Sequence, residues 1–216
     1  MLLAAGAWPR SGTPQASAQA LRVEAAETVA PCVRAAAEVF ARRGAGVDLF
    51  VGRLAGDRQA DVLVASSVEI TRAIEAGRAE EGSDVDIASI PWILALEPGV
   101  PRDVGRLEDL GRTGGEVLLL GGAAAYEARR ALAAFPEIEV HETTDVASLR
   151  AASAAIFPLS LARGTDHVAL DIPPVVARAV VTSRPQSPAT AAAFVGFLAS
   201  EEGQRAFAAC GASVAP

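Results

Sequence analysis

From Leu21 onward, hydrophobic residues alternate between short continuous runs and runs with helical spacing. The short runs predict strands and the spaced runs predict amphipathic helices. In the segment Val29–Arg43, Pro31 suits the first turn of a helix and Gly44 suits its end. Strands are predicted at 21–26, 47–51, 61–65, 87–96, 116–120, 138–141, 154–157 and 173–181, and further helices at 68–76, 107–110, 124–135, 145–152, 188–200 and 201–209.

This order of elements predicts an α/β protein with helices covering largely parallel strands. Two extended crossings, near residues 87–97 and 172–182, favour two small lobes over one continuous sheet. We expect residues 21–90 with 178–216 to form the first lobe and residues 91–177 to form the second. A cleft between such lobes is the natural place for a ligand.

The first twenty residues differ in composition from the rest. Met1–Trp8 is a short apolar run, and the triplets Ala16-Ser17-Ala18 and Ala18-Gln19-Ala20 fit the small-x-small pattern of signal peptidase sites. A positively charged start is missing. The segment is therefore predicted to be a signal peptide or, alternatively, a disordered tail, and the signal peptide would place the mature protein in the periplasm.

Composition excludes several classes of function. The chain has 216 residues, 51% of them hydrophobic, and a net charge of -7, which argues against global disorder, nucleic acid and anionic membranes as partners. All positive charges are arginine, so a lysine Schiff base is excluded. Two cysteines, two histidines and no GxSxG motif give no basis for a structural metal, a cofactor or a catalytic triad. An enzyme is therefore not expected.

Several segments, taken in order, resemble the periplasmic solute-binding proteins of ABC importers, specifically the molybdate-binding type. They are the opening strand Leu21–Ala26, the motif Ala60–Ser67, the step Leu107–Leu110, the helix Ala125–Leu132 and the closing block Ala191–Gly211. The resemblance implies a two-lobed type II periplasmic-binding-protein fold with mixed sheets and two crossover strands. It also implies a monomer that closes over a small molecule or oxyanion and passes it to a permease in the inner membrane.

The resemblance implies a ligand site built from four loops. The first carries Glu27 where the family has serine, with Thr28 one residue later. Either side chain can instead cap the following helix, and the sequence leaves ligation and capping open. The second loop is shortened, and Arg53 can contact an anion there or lie in solvent. The residues expected to bind the ligand are Glu27, Thr28, Gly52, Arg53, Ser66, Gly121, Gly122, Ala123, Tyr126, Phe157, Pro158 and Ser160.

The third loop, Gly121-Gly122-Ala123-Ala124 at a helix start, is expected to offer free backbone N–H groups to an anion. In the fourth, Phe157 replaces the family's tyrosine and removes a hydroxyl. Molybdate is thus a doubtful ligand, and a small organic solute with a cationic or hydroxyl group near Glu27 fits better. An accessory or sensory module on the same fold is the alternative. In this fold Cys32 and Cys210 could meet, as a disulfide or as separate thiols.

Overall fold

The computed structural model describes residues 20–54, 59–97, 106–113, 115–162 and 164–214. In chain order these residues form β1 (Leu21–Ala25), α1 (Ala30–Ala41), β2 (Val47–Val51), β3 (Val62–Ser66), α2 (Ser67–Glu75), β4 (Val85–Ile90), β5 (Trp92–Leu96), α3 (Leu107–Thr113), β6 (Gly115–Leu120), α4 (Tyr126–Leu132), β7 (Ile138–Thr143), α5 (Val146–Ala151), β8 (Ala154–Pro158), β9 (His167–Ala169), β10 (Val175–Val181), α6 (Pro188–Ala199) and α7 (Glu201–Ala208). Two 3-10 turns, Ala123–Ala125 and Leu159–Leu161, precede α4 and follow β8.

The strands are arranged in two five-stranded mixed sheets. The first has the order β2-β1-β3-β10-β4, with β1 parallel to β2 and β3, and β10 antiparallel to β3 and β4. The second has the order β7-β6-β8-β5-β9, with β6 parallel to β7 and β8, and β5 antiparallel to β8 and β9. The predicted α/β class with mixed sheets is confirmed.

A proline marks the place where the chain passes from one sheet to the other. β4 belongs to the first sheet and β5 to the second, and only Pro91 separates them. Proline has no N–H to donate to a strand partner, so sheet pairing is interrupted there. Its carbonyl accepts a hydrogen bond from Leu159 N–H at 2.9 Å. The chain returns between β9 and β10, so both crossings are present.

The core of the first sheet is completed by helices from both ends of the chain. The ring of Phe40 in α1 lies 5.0 Å from that of Phe194 and 5.3 Å from that of Phe197, both in α6. The Arg43 guanidinium lies 4.8 Å from the Phe197 centroid, within range of a cation–π contact. The C-terminal helices are therefore anchored on the first helix.

Asp61, part of the motif Ala60–Ser67, has a structural role. Its carboxylate is buried and accepts backbone N–H bonds from Arg22 at 2.9 Å, Gln186 at 2.5 Å and Ser187 at 3.2 Å. The Asp61 carboxylate, just before β3, thus joins the first residues of β1 to the loop that leads into α6.

Several boundaries differ from the predicted ones. The three-residue strand β9 was not predicted, because a run so short carries little periodic signal. The helix predicted at 124–135 begins as a 3-10 turn and continues as the shorter α4. Residues 1–19, where the signal peptide or tail is predicted, lie outside the described residues. Within the described part, every helix is too short or too polar to cross a membrane.

Candidate functional site

A cavity of about 460 Å³ lies between loops of the two sheets. From the first sheet come segments that follow β1 and β2, together with one face of α2 and Arg78. From the second come Leu120–Ala124 after β6 and Thr144 after β7. These loops leave the carboxyl ends of parallel strands, which is where ligands bind in open α/β sheets. The position of the cavity therefore marks it as the candidate ligand site.

Seven of the twelve predicted residues line this cavity. They come from three of the four predicted loops, and they are Glu27, Thr28, Gly52, Arg53, Gly121, Gly122 and Ala123. The strand order explains this result, because β1, β2 and β6 all end at the same cleft. Their role in binding stays a prediction.

The other five residues lie away from the cavity lining. Ser66 is the N-cap of α2, where its hydroxyl is held by the Glu69 carboxylate at 2.7 Å. Tyr126 is 60% exposed, and Phe157 is buried in the core of the second sheet. Pro158 pairs with Trp92 at the end of β8, and the Ser160 hydroxyl donates to the Thr28 carbonyl. The fourth loop therefore does not line the cavity, and it supports the cavity wall through the bond from Ser160 to Thr28.

Neither Glu27 nor Thr28 caps the first helix, which excludes one of the two alternatives left open by the sequence. The N-cap of α1 is Val29, and no side chain accepts a hydrogen bond there. Thr28 lines the cavity, and its hydroxyl is buried with no hydrogen-bond partner among the described residues. A buried hydroxyl without a partner costs about 1–3 kcal/mol.

The expectation of free N–H groups in the third loop is wrong at Gly121 and stays a prediction for the residues that follow it. The Gly121 N–H donates to the Thr143 carbonyl at 2.8 Å, so it is occupied by β7. A Cβ at Gly121 would lie 2.9 Å from a Glu142 carboxylate oxygen, the end of a flexible side chain, and 3.4 Å from the Thr143 carbonyl oxygen. Gly122 has a φ of 107°, a conformation that other residues adopt only with strain. The loop lines the cleft with its backbone tied to β7 at Gly121.

Sequence reasoning missed the contribution of α2. Glu69, Arg72, Ala73 and Ala76 all line the cavity. Their spacing of three and four places them on one face of the helix. That periodicity was readable in the sequence, but nothing local showed that this face turns toward a cleft rather than toward solvent.

Arg78 is the second cavity residue that sequence reasoning missed, and two contacts hold its side chain in place. Its guanidinium donates to the Leu54 carbonyl at 2.9 Å and lies 3.5 Å from the Glu24 carboxylate. Glu24 is fully buried in β1, an inner strand of the first sheet. The ion pair with Glu24 holds the Arg78 guanidinium at the cavity wall, and the bond to the Leu54 carbonyl holds the second loop at Leu54.

The cavity wall carries charges of both signs. Arg53 and Arg72 have no ion pair with another described residue, and neither does Glu27. Alanines and Leu120 supply an apolar part of the wall. Such a site can hold an anionic group and a second polar group of one small molecule at the same time.

A separate group of possible metal ligands lies on the exposed strands of the second sheet. Glu116, Glu139 and His141 have ligand atoms within 4.8 Å of one another, and all three are exposed. Glu116 and Glu139 are register partners on β6 and β7. The group lies outside the cavity, and exposed acidic clusters of this kind are common without an ion.

Comparison with known proteins identifies the family. The family model described as bacterial extracellular solute-binding protein matches residues 21–212, nearly the whole described chain. The chain belongs to this family. No curated protein matches the chain closely in sequence.

Solved structures of the same fold include proteins named for different ligands. The periplasmic molybdate-binding protein of Azotobacter vinelandii is 17% identical, with a TM-score of 0.72 over 91% of this chain and 100% of that one. The sulfate-binding protein SubI of Mycobacterium tuberculosis is 19% identical, with a TM-score of 0.71 over 89% and 86%. L-phospholactate-bound PEB3, a protein of Campylobacter jejuni, is 14% identical, with a TM-score of 0.72 over 90% and 100%.

These likenesses confirm the type II periplasmic-binding-protein fold expected for this solute-binding protein, including its resemblance to the molybdate-binding type. At such low identity they establish the fold and leave the ligand open. The ligand has to be argued from this chain's own cavity.

Proposed function

We propose that this chain is the extracytoplasmic, periplasmic solute-binding component of an ABC importer, and that it delivers a small organic anion to the permease in the inner membrane. It acts as a monomer with two lobes, bounded near residues 90 and 178, and binds without catalysis. The observation that carries the proposal is the mixed-charge cavity between loops of the two sheets, which holds Arg53, Arg72 and Glu27.

The size of the cavity favours an organic solute. A tetrahedral oxyanion has five heavy atoms, which at about 30 Å³ per water-sized group fill roughly 150 Å³. The cavity of about 460 Å³ is some three times larger and falls within the range of small-molecule sites. An oxyanion alone would leave most of it to water.

The charge of the cavity also disfavours a bare dianion. A negative charge about 4 Å from Glu27 would be repelled by roughly 4 kcal/mol per unit charge at an effective dielectric constant near 20. Arg53 and Arg72 suit a carboxylate or phosphate group, while Glu27 suits a hydroxyl or ammonium group at the other end of the same molecule. PEB3, which shares the fold, binds L-phospholactate, an organic anion.

A ligand screen by thermal shift tests the proposal. The panel holds molybdate, tungstate, sulfate and phosphate on one side, and phosphorylated acids, hydroxy acids and amino acids on the other. A ligand present at about one hundred times its Kd stabilises by about 2.7 kcal/mol, which raises Tm by roughly 5–10 °C at this chain length. We expect such shifts from organic anions and none from inorganic oxyanions.

Variants then locate the bound molecule. Arg72→Gln should weaken binding of the best organic anion by about tenfold or more, measured by calorimetry, because it removes a charge-assisted hydrogen bond. The matched control is Arg34→Gln, an exposed arginine of α1 outside the cavity lining, which should leave Kd unchanged. A strong shift with molybdate or tungstate would overturn the choice of an organic anion. No shift from any compound would favour the accessory or sensory alternative.

A further inference from the structure

The two cysteines of the chain, 178 positions apart in sequence, meet in the fold. Cys32 is completely buried in α1, and Cys210 lies half-buried just after α7. The helices α1 and α7 pack together, Cys210 packs against the core that contains Cys32, and the two thiols lie within hydrogen-bonding reach. A chain of this length with only two cysteines would rarely place both in contact by chance.

The position of Cys210 is set by contacts on both sides of it. Its N–H donates to the Phe207 carbonyl at 2.9 Å, at the end of α7, and Gly211 then turns the chain with a φ of 82°. Two residues further, Ser213 forms a two-bond bridge with Ser89, at 2.8 and 2.9 Å. Cys210 packs against the core that contains Cys32, and its thiol donates to the Ala206 carbonyl oxygen at 3.9 Å.

The surroundings assign different roles to the two sulfurs. The hydrogen bond with Cys210 and burial both raise the pKa of the Cys32 thiol. Cys32 is therefore protonated and inaccessible at neutral pH, whereas Cys210 is partly open to solvent. Thiol–disulfide exchange begins with attack by an accessible thiolate, which here is Cys210.

We propose that Cys32 and Cys210 form an intramolecular disulfide when the folded chain meets a disulfide donor. The Cys210 thiolate attacks the donor disulfide and releases its first thiol. The Cys32 sulfur then displaces the second donor thiol from this mixed disulfide and forms the Cys32–Cys210 bond. Two protons leave the two cysteines, and two electrons pass to the donor disulfide, which ends as two thiols.

The bond would join the first helix of the fold to its C-terminal segment. The segment immediately before α1 contributes Glu27 and Thr28 to the cavity wall. A covalent link from α1 to the end of α7 closes a loop that includes most of the chain, and long loops give large stabilisation in the chain-entropy model. The proposal does not depend on which solute the cavity binds.

The test compares the full chain after treatment with oxidised glutathione and after treatment with a phosphine reductant. The oxidised sample should weigh two hydrogens less and should take up no alkylating reagent in denaturant. A proteolytic digest should contain one peptide pair that joins Cys32 to Cys210. Its Tm should exceed that of the reduced sample by roughly 5–15 °C.

Variants separate the disulfide from other effects of the reductant. Cys210→Ser keeps a small polar side chain at the half-buried position, and its Tm should be the same with and without reductant. The Tm of Cys32→Ala should likewise be the same with and without reductant. The proposal is overturned if the glutathione-treated wild type still incorporates two alkyl groups per chain, or if Cys210 ends as a stable mixed disulfide with glutathione.

Discussion

The Ser160 hydroxyl donates a hydrogen bond to the backbone carbonyl of Thr28 over 2.5 Å. The bond joins the 3-10 turn after β8 to the segment before α1, two places 132 residues apart. It is buried, and it holds the backbone of Thr28, a residue of the cavity wall. The wall of the candidate site is thus supported by a residue that does not itself line it.

Ser160→Ala should lower the free energy of unfolding by about 1–3 kcal/mol, because the Thr28 carbonyl would lose its buried donor. Urea denaturation measures this loss. Ser153→Ala removes an exposed hydroxyl that donates to Glu97 at 3.2 Å, and should change stability by less than about 0.5 kcal/mol. Equal losses in the two variants would contradict a structural role for the Ser160 bond.

Asp61→Asn should be among the more damaging isosteric changes in the first sheet. The Asp61 carboxylate accepts N–H bonds from three backbone positions, and an amide supplies one acceptor oxygen and presents an NH2 group to the remaining donors. We expect a loss of about 3 kcal/mol in chemical denaturation. Asp48→Asn, at an exposed position of β2, provides the control and should be close to neutral.

Alanine substitutions at two glycines in neighbouring helices should change the stability of the fold in opposite directions. A Cβ at Gly203 in α7 would lie 2.2 Å from the Phe197 carbonyl oxygen and 2.8 Å from Leu198 backbone atoms. Gly203→Ala should therefore cost about 4 kcal/mol or prevent folding.

Gly196 in α6 is exposed, and a Cβ added there would meet nothing within 4 Å, so Gly196→Ala should stabilise the helix by about 0.5–1 kcal/mol. Thermal unfolding of both variants checks the pair. A harmless Gly203→Ala would mean that α6 and α7 pack less closely than these distances require.

The Arg129–Glu142 pair beside Gly121 should titrate at acid pH. The guanidinium donates two hydrogen bonds to the carboxylate, at 2.5 and 2.8 Å, which lowers the pKa of Glu142 from its ordinary 4.5. The stability that the pair supplies is present above pH 4.5 and is lost as the pH falls through the lowered value. Because both side chains are about 40% exposed, that stability is below about 1 kcal/mol.

Carboxyl chemical shifts in NMR measure this pKa directly, and Arg129→Gln should return it toward its ordinary value. Asp145 offers an internal reference, because hydrogen bonds from the Ser148 hydroxyl and from the Ala147 and Ser148 N–H groups lower its pKa without Arg129. If the pKa values of Asp145 and Glu142 change together in the Arg129→Gln variant, then the lowered pKa of Glu142 is not caused by Arg129.

Much of the fold was readable from local patterns. Continuous apolar runs such as Val62–Ser66 and the helical spacing around Phe40 depend on neighbouring residues alone, so the strands and helices could be placed before any contact was known. The resemblance to the molybdate-binding type also marked the loops at Glu27, Arg53 and Gly121 as candidates, and these loops do meet at the cavity.

The contacts that give this site its character were settled by the tertiary structure. Arg78 meets Glu24 across 54 positions, α2 turns one face to the cleft, and Ser160 reaches Thr28 rather than the cavity. The sulfurs of Cys32 and Cys210 likewise meet only because α7 packs on α1.

The sequence by itself determined the alternation of strands and helices, the class of fold and the absence of lysine chemistry. The tertiary structure decided which polar groups face the cavity and which are used to support it. The physical reason is that the spacing of polar residues along a helix or strand shows which face of that element is polar. The group that each polar side chain contacts depends instead on how segments far apart in the chain pack together.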